Sequence, residues 1–150
     1  MDSMTPTPNP RVPYWRVWRD AEGISHQHQS WVDNFDLTHL ADGMVDIWRT
    51  PTDGSTTGIV FLHVVPGVTY EWHENPRPQW IVALSGRWFV ETMDGHRVEM
   101  APGELSFGGD QGCRCLNGKQ GHLSGTVGSE PAVLMLIQVA QAPADPLVPA

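Results

Sequence analysis

The chain has 150 residues, of which 40% are hydrophobic and 17% are charged, and its formal net charge is −8. These values are typical of one globular domain and exclude a disordered chain. The acidic balance argues against binding to nucleic acid or to an anionic membrane surface, because both need a basic footprint. No apolar run reaches the ~18 residues that cross a bilayer, and the N-terminus lacks the regions of a secretory signal, so we expect a cytoplasmic location.

Prolines and glycines recur along the whole chain. Thirteen prolines and fifteen glycines separate short apolar runs along the sequence. No segment of about twelve residues has helical periodicity, whereas several runs alternate apolar and polar residues with a period of two. Turn residues between many short strands predict an all-β single domain, closed as a barrel or a jelly roll.

The two ends of the chain lack this pattern. Residues 1–13 are rich in Pro, Thr and Asn, and we predict that they form a flexible arm. The β domain is predicted to span residues 14–140. Residues 141–150 are predicted to be a disordered tail.

The predicted strands follow in chain order. Residues 14–19 alternate with a period of two and predict the first strand, and residues 30–40 and 44–50 are weaker candidates. Residues 59–65 are apolar on both faces, which predicts a strand sandwiched between two layers. Asp94-Gly95 is the strongest hairpin sequence in the chain. The remaining predicted strands are 81–84, 87–93, 97–100, 105–107, 122–127 and 132–139.

Residues 108–121 are predicted to be a long loop with five glycines. Loops of this length are often functional lids or rims. The loop holds Cys113 and Cys115, whose spacing is too short for ready bridging and which lack the partner pair of a zinc site. We interpret them as two thiols in or under the loop.

A polar cluster lies in the otherwise apolar stretch 67–86. It consists of Glu71, His73, Asn75 and Gln79. In an extended chain the first three would project from one face. Apolar walls with a few convergent polar groups are typical of a small-molecule pocket.

The spacing of these residues resembles the first motif of the cupin superfamily. That motif consists of Gly, His, a second His, Glu and a final Gly, and its positions fall here on Gly67, His73, Asn75, Gln79 and Gly86. The chain is therefore similar to a small single-domain bacterial monocupin. The resemblance implies a double-stranded β-helix, which is the jelly-roll barrel of that family.

A second cupin motif is matched more loosely. It begins here at the turn 102–104 and ends at His122 and Thr126, with several additional residues between. Within the family the chain is similar to short proteins of unassigned function. Those proteins carry a His-x-x-Pro-Arg-like turn, a Gln-aromatic pair and a Gly-Lys-x-Gly-His segment, found here at 73–77, 79–80 and 118–122.

The resemblance implies a degenerate metal site. Cupins hold iron, manganese, nickel or zinc with three His and one Glu. Here His73 and His122 keep the ligand type, while Asn75 and Gln79 replace the second His and the Glu with neutral amides. His73, Gln79 and His122 are thus the predicted ligands of a weakly bound divalent metal. Without a metal, the two histidines serve as acid–base groups or line a vestigial cavity.

Further candidate residues surround this set. Glu71 is a catalytic candidate, as a substitute ligand or a general base, with an exposed carboxylate as the alternative. Asn75, Gln79 and Arg77 are candidate substrate-binding residues, although Arg77 lies between two prolines and could equally be a solvated loop residue. His63 is a reserve ligand only.

Two functions remain open from the sequence. The first is an enzyme that acts on a small cyclic or aromatic metabolite in its barrel, with a weakly bound divalent metal, as an isomerase, cyclase, lyase or dioxygenase. The second is a non-catalytic, metal-free cupin that binds a small ligand or serves as a sensor. We also expect a homodimer and hypothesise that strand 14–19 crosses to the partner, because the early strands carry aromatic residues on both faces.

Overall fold

The computed structural model describes residues 9–39, 41–51 and 55–149. Within these ranges the chain forms strands and no helix, so the all-β prediction is confirmed. It follows that no described helix is long and apolar enough to span a membrane. The strands are β1 Val12–Arg19, β2 Ser25–Val32, β3 Asp36–Thr38, β4 Ile47–Arg49, β5 Thr56–Val64, β6 Gln79–Ser85, β7 Arg87–Thr92, β8 Arg97–Met100, β9 Leu105–Gly109, β10 His122–Val127 and β11 Ala132–Val139.

The strands are arranged in two main sheets. Six form a mixed sheet in the order β2-β1-β9-β6-β11-β5, and three form an antiparallel sheet in the order β10-β7-β8. β3 and β4 pair as a separate two-stranded sheet. β1 and β9 are parallel, and the other pairings are antiparallel. No sheet of the described chain closes into a barrel, so the architecture is consistent with a β-sandwich, and the double-stranded β-helix stays a prediction.

The main core lies between the two sheets. β11 alternates with a period of two and buries Leu134 and Leu136, while β7 contributes Trp88 and Val90 from the opposite sheet. Each fully buried apolar side chain of this kind contributes about 1.5–3 kcal/mol. This packing holds the sheets apart at a fixed distance and leaves a cavity beside the core.

A second apolar cluster covers the outer face of the large sheet. Trp80 lies between Tyr14 and Phe107, with ring centroids 4.8 and 4.9 Å away. Trp80 thus faces away from its neighbour Gln79, as expected from the alternation of side chains along a strand.

The segment after β11 extends over the first two strands. Arg16 Nη1 donates a hydrogen bond to the carbonyl of Pro143 at 2.9 Å, and His28 Nε2 lies 2.8 Å from Asp145 Oδ2. Pro143 and Asp145 of the predicted tail therefore contact β1 and β2, while residues 1–8 of the predicted arm lie outside the described residues.

The early strands differ from the sequence prediction. β1 begins at Val12, within the predicted arm, and lies between β2 and β9 of the same chain. β2 was not predicted at its true position, because its sequence is mostly polar and has no apolar alternation. Its Gln27 is nevertheless buried, and Nε2 donates to the carbonyls of Val90 and His96 at 3.0 and 2.7 Å.

The prediction that residues 59–65 lie between two layers is wrong. β5 is an edge strand of the six-stranded sheet. Ile59 and Phe61 are 56% and 64% exposed on one face, and Leu62 is 38% exposed on the other. Within a single chain, only β11 pairs with β5, and its second edge is free among the described strands.

Candidate functional site

A small cavity lies between the two sheets, next to the main core. Its volume is about 90 Å³. Apolar residues form most of its wall, and a few polar residues converge on it from the 70–79 segment and from β10. The lining residues are Leu62, Val64, Tyr70, His73, Asn75, Gln79, Ile81, Trp88, His122, Ser124, Gly125, Leu134 and Leu136.

A backbone bridge places His73 and His122 side by side. His73 N donates to His122 O at 3.0 Å, and His122 N donates to His73 O at 2.9 Å. Residues paired in this way project their side chains to the same side, and the two ring centroids are 4.5 Å apart. Gly121 permits this approach, because its φ is +79° and a Cβ there would collide with the His73 carbonyl.

Asp110 is the buried charge behind this pair. Its side chain is fully buried, and Oδ2 lies 2.6 Å from His122 Nδ1. Oδ1 accepts hydrogen bonds from the backbone N and the side-chain Nδ2 of Asn75, at 3.0 and 2.9 Å. Burial alone would raise the pKa of Asp110, but the hydrogen bonds from His122 and Asn75 outweigh it and hold that pKa below its ordinary value. Asp110 is therefore a carboxylate.

A chain of amides supports Asp110. Gln79 Nε2 donates to Asn75 Oδ1 at 2.8 Å, and Gln138 Nε2 donates to Gln79 Oε1 at 3.4 Å. The bond from Gln79 holds the Oδ1 end of the Asn75 amide, so that Nδ2 of the same amide faces Asp110. Gly108 leaves the room for this, since a Cβ there would collide with the Asn75 amide.

Both imidazoles are held through Nδ1. His73 Nδ1 donates to the carbonyl of Glu71 at 2.7 Å, and His122 Nδ1 donates to the Asp110 carboxylate. A carbonyl and a carboxylate only accept, so Nδ1 carries the proton in each ring. A ring in its neutral form then has a lone pair on Nε2, and no described residue bonds to either Nε2. That arrangement suits proton transfer, and it also occurs in metal-ligating histidines.

Trp88 lines the cavity and has a buried donor without a partner in the described part of the chain. The residue is 5% exposed, and its buried Nε1 has no hydrogen-bond partner among the described residues. Buried donors are nearly always paired in folded proteins. Within the described chain, the unpaired Nε1 of Trp88 is an exception to this rule.

The residues present do not complete a cupin metal site. Among the described residues there is no group of three or more His, Cys, Asp or Glu that could hold a metal ion. His73 and His122 offer two nitrogen ligands, but the amides of Asn75 and Gln79 are bonded to each other. Two imidazoles suit weak binding of a divalent cation with water in the other positions, and the ligand role of His73, Gln79 and His122 stays a prediction.

The structure gathers four of the predicted site residues, His73, Asn75, Gln79 and His122, at the cavity. Two others lie outside its lining. Glu71 is exposed and contributes its backbone carbonyl to His73, and Arg77 is exposed on the same segment. His63 lies on β5, where it pairs with Val133 of β11, and it is also outside the cavity lining.

Asp110 was not predicted from the sequence. Its place inside the glycine-rich loop 108–121 was the one available hint, because loops of that length often carry functional residues.

No model of a known protein family matches the chain, and no curated protein matches it significantly. The resemblance to cupins thus rests on the motif spacing in the sequence alone.

Proposed function

We propose that the protein is a cupin-type enzyme that moves a proton on a small cyclic or aromatic metabolite, with His122 as the general base. The motif spacing and the two facing sheets support the cupin assignment and its double-stranded β-helix. The proposed chemistry rests on the buried contact of 2.6 Å between His122 Nδ1 and Asp110 Oδ2. His122 lines the apolar cavity.

Asp110 and His122 have different roles in the proposed proton transfer. Asp110 fixes the tautomer of His122 that has its lone pair on Nε2, and its charge stabilises the imidazolium that forms when Nε2 accepts a proton. His73 presents a second Nε2 beside it and can return a proton to another atom of the substrate. Isomerisation, cyclisation and elimination each need such a transfer. Dioxygenation would instead need a metal.

The substrate would carry an acceptor oxygen next to an acidic C–H or O–H. The oxygen would accept a hydrogen bond from the cavity wall, and the proton would pass to His122 Nε2. A cavity of about 150 Å³ is needed to hold benzene, and this one is about 90 Å³. The reactive end of the metabolite would therefore enter the cavity while its ring stays at the mouth, beside Tyr70, which is 44% exposed.

A metal-dependent version of this function would rest on His73 and His122, with Gln79 available only after its side chain leaves Asn75. Iron, manganese, nickel or zinc bound there would polarise a substrate oxygen. Metal analysis of protein purified without a His-tag tests this version. We expect well under one metal per chain, and a full equivalent that disappears in His73→Ala would favour the metal enzyme.

A non-catalytic ligand-binding protein or sensor is the second candidate. It is favoured by the amide chain, in which Asn75, Gln79 and Gln138 bond to one another rather than reach towards a substrate. Such a protein would bind the same small molecules and release them unchanged.

Proton exchange in D₂O separates these functions. Acetone and cyclohexanone serve as small carbonyl probes, and NMR follows both the loss of their α-protons and the indole N–H of Trp88. We expect the indole peak to shift on binding, and wild-type protein to accelerate exchange by about 10²–10⁴ relative to His122→Gln. The indole of Trp31, which lies outside the cavity lining, is the internal control.

Binding without exchange would support the ligand-binding candidate. A Trp88 peak that responds to neither molecule, nor to acetate as a small anion, would argue against a ligand site in this cavity.

A further inference from the structure

β5 is an edge strand of the large sheet, and its second edge is free among the described strands. β5 spans nine residues, Thr56–Val64, and Ile59, Val60, Phe61 and Leu62 are 56%, 36%, 64% and 38% exposed. From residue 55 to residue 70 the sequence has no Asp, Glu, Lys or Arg. An exposed, uncharged, apolar edge strand is a template on which another strand can pair.

Two other edge strands, β2 and β8, carry the usual protection. β2, at the opposite end of the same sheet, is rich in His, Gln and Ser. β8, at the edge of the small sheet, carries Arg97 and Glu99, whose side chains are 3.4 Å apart. Charged and polar side chains of this kind discourage pairing between molecules. The exposed apolar character thus distinguishes β5 from β2 and β8.

We propose that β5 pairs antiparallel with β5 of a second copy of this chain, across a two-fold axis, so that the two large sheets become one. Pairing of identical strands places each surface against its own copy, which is the isologous contact of two-fold dimers. It explains why β5 is apolar on both faces, since a neighbouring strand contacts the side chains of both. It also satisfies the outward-facing backbone groups of the strand.

The neutral stretch 55–70 permits the approach of a second copy. The chain carries a net charge of −8, so two copies repel each other over most of their surfaces, and the neutral stretch 55–70 is where they can approach. Residues 1–8 of the same chain contain only Met1 and Met4 as large apolar residues, which is too little to cover this edge.

The exposed area suits a dimer of moderate affinity. If a fully exposed side chain of this size offers about 150 Å², the exposed fractions of β5, Val65 and Tyr70 amount to roughly 400 Å² per copy. With the backbone of the strand, the interface reaches about 1,000 Å², the lower limit for a specific complex. We therefore expect a dimer with a Kd in the micromolar range.

The same pairing completes the mouth of the cavity. Leu62 lies on the cavity side of β5 and is one of its lining residues, as is the half-exposed Tyr70. The partner strand would extend the wall beside Leu62 and cover part of this mouth.

Sedimentation velocity over a range up to about 100 μM tests the dimer. Phe61→Lys places two cations near each other at the paired edges, and we expect it to raise the Kd at least about 30-fold. Ile59→Lys repeats the test at a second exposed position. Val45→Lys is the matched control, because Val45 is apolar and 83% exposed but lies outside β5, and its Kd should stay within about twofold of wild type. Far-UV circular dichroism checks that each variant is folded.

Hydrogen exchange locates the interface. The outward amides of β5 should gain protection as wild-type concentration rises and lose it in Phe61→Lys. A wild-type chain that stays monomeric at about 100 μM would overturn the proposal, as would a dimer that is equally stable in Phe61→Lys and Val45→Lys. Protection that is independent of concentration and disappears on deletion of residues 1–8 would also overturn it, in favour of the chain's own N-terminus.

Discussion

Replacing Asp110 by Asn removes the buried charge behind His122 while keeping nearly the same shape. Asp110 accepts three hydrogen bonds, of 2.6, 2.9 and 3.0 Å. Hydrogen bonds to a charged group contribute about 1.5–3 kcal/mol each, and neutral ones about 0.5–1.5 kcal/mol. An amide retains the two bonds from Asn75 in this weaker form, while removal of a buried charge recovers part of its desolvation cost.

The net effect follows from these opposing contributions. We expect Asp110→Asn to lower the free energy of unfolding by about 2–3 kcal/mol, measured by urea denaturation. The amide NH₂ can also face His122, which then accepts at Nδ1 and carries its proton on Nε2. The lone pair needed for general-base catalysis is lost, and proton exchange should fall by about 10²–10⁴.

Long-range ¹H–¹⁵N NMR of the neutral imidazole reads the tautomer directly. Wild-type His122 should have its proton on Nδ1, and Asp110→Asn should move it to Nε2. Asp42→Asn is the matched control, because Asp42 is exposed and outside the site. A wild-type ring protonated on Nε2, or a tautomer that is unchanged in Asp110→Asn, would refute the role assigned to this carboxylate.

Two further predictions concern stability. His26 lies 2.8 Å from Asp94 and 2.7 Å from Asp20, and although burial lowers its pKa, these hydrogen bonds outweigh burial and raise it above 6.5. The stabilisation that His26 contributes should therefore be complete below pH 6.5 and decline as the pH rises through the raised pKa. The difference in unfolding free energy between wild type and His26→Asn should be about 1–3 kcal/mol at low pH and should shrink as the pH rises. A difference that is constant up to pH 9 would contradict this. Gly121→Ala should lower the free energy of unfolding by about 1–3 kcal/mol or more and separate the histidine rings, because Gly121 has a positive φ and a Cβ there would meet the His73 carbonyl. Thermal melts measure this loss. The control Gly95→Ala has a similar φ but open space around it, so it should lose less stability.

Much of the fold could be predicted from alternation in the sequence. β11 buries every second residue over most of its length, and the Asp94-Gly95 turn joins β7 to β8 as its sequence indicates. β2 was not predicted because its buried Gln27 pairs its side-chain Nε2 with the backbone carbonyls of Val90 and His96, an arrangement that hydropathy does not show. β5 was misplaced because apolar residues on both faces fit a central strand and an unpaired edge equally well.

The site was predictable only where it depends on spacing. His73 and His122 meet because an isolated backbone bridge joins the segment before β6 to the start of β10, and their spacing in the sequence predicts both as candidates. Asp110 reaches His122 through the loop that follows β9, where Gly112, Asn117 and Gly118 adopt positive φ values. Such a path has no periodicity, so its end point could not be predicted from the order of residues.

A crystal structure that resolves what lies between His73 and His122 tests the central claim most directly. We predict that His122 Nδ1 stays within hydrogen-bond distance of Asp110 and that a non-protein atom, from a ligand or an ordered water, bonds to His122 Nε2. A protein group bonded to that Nε2, or an Asp110 side chain turned away from the ring, would contradict the proposal that this histidine serves the cavity as a base.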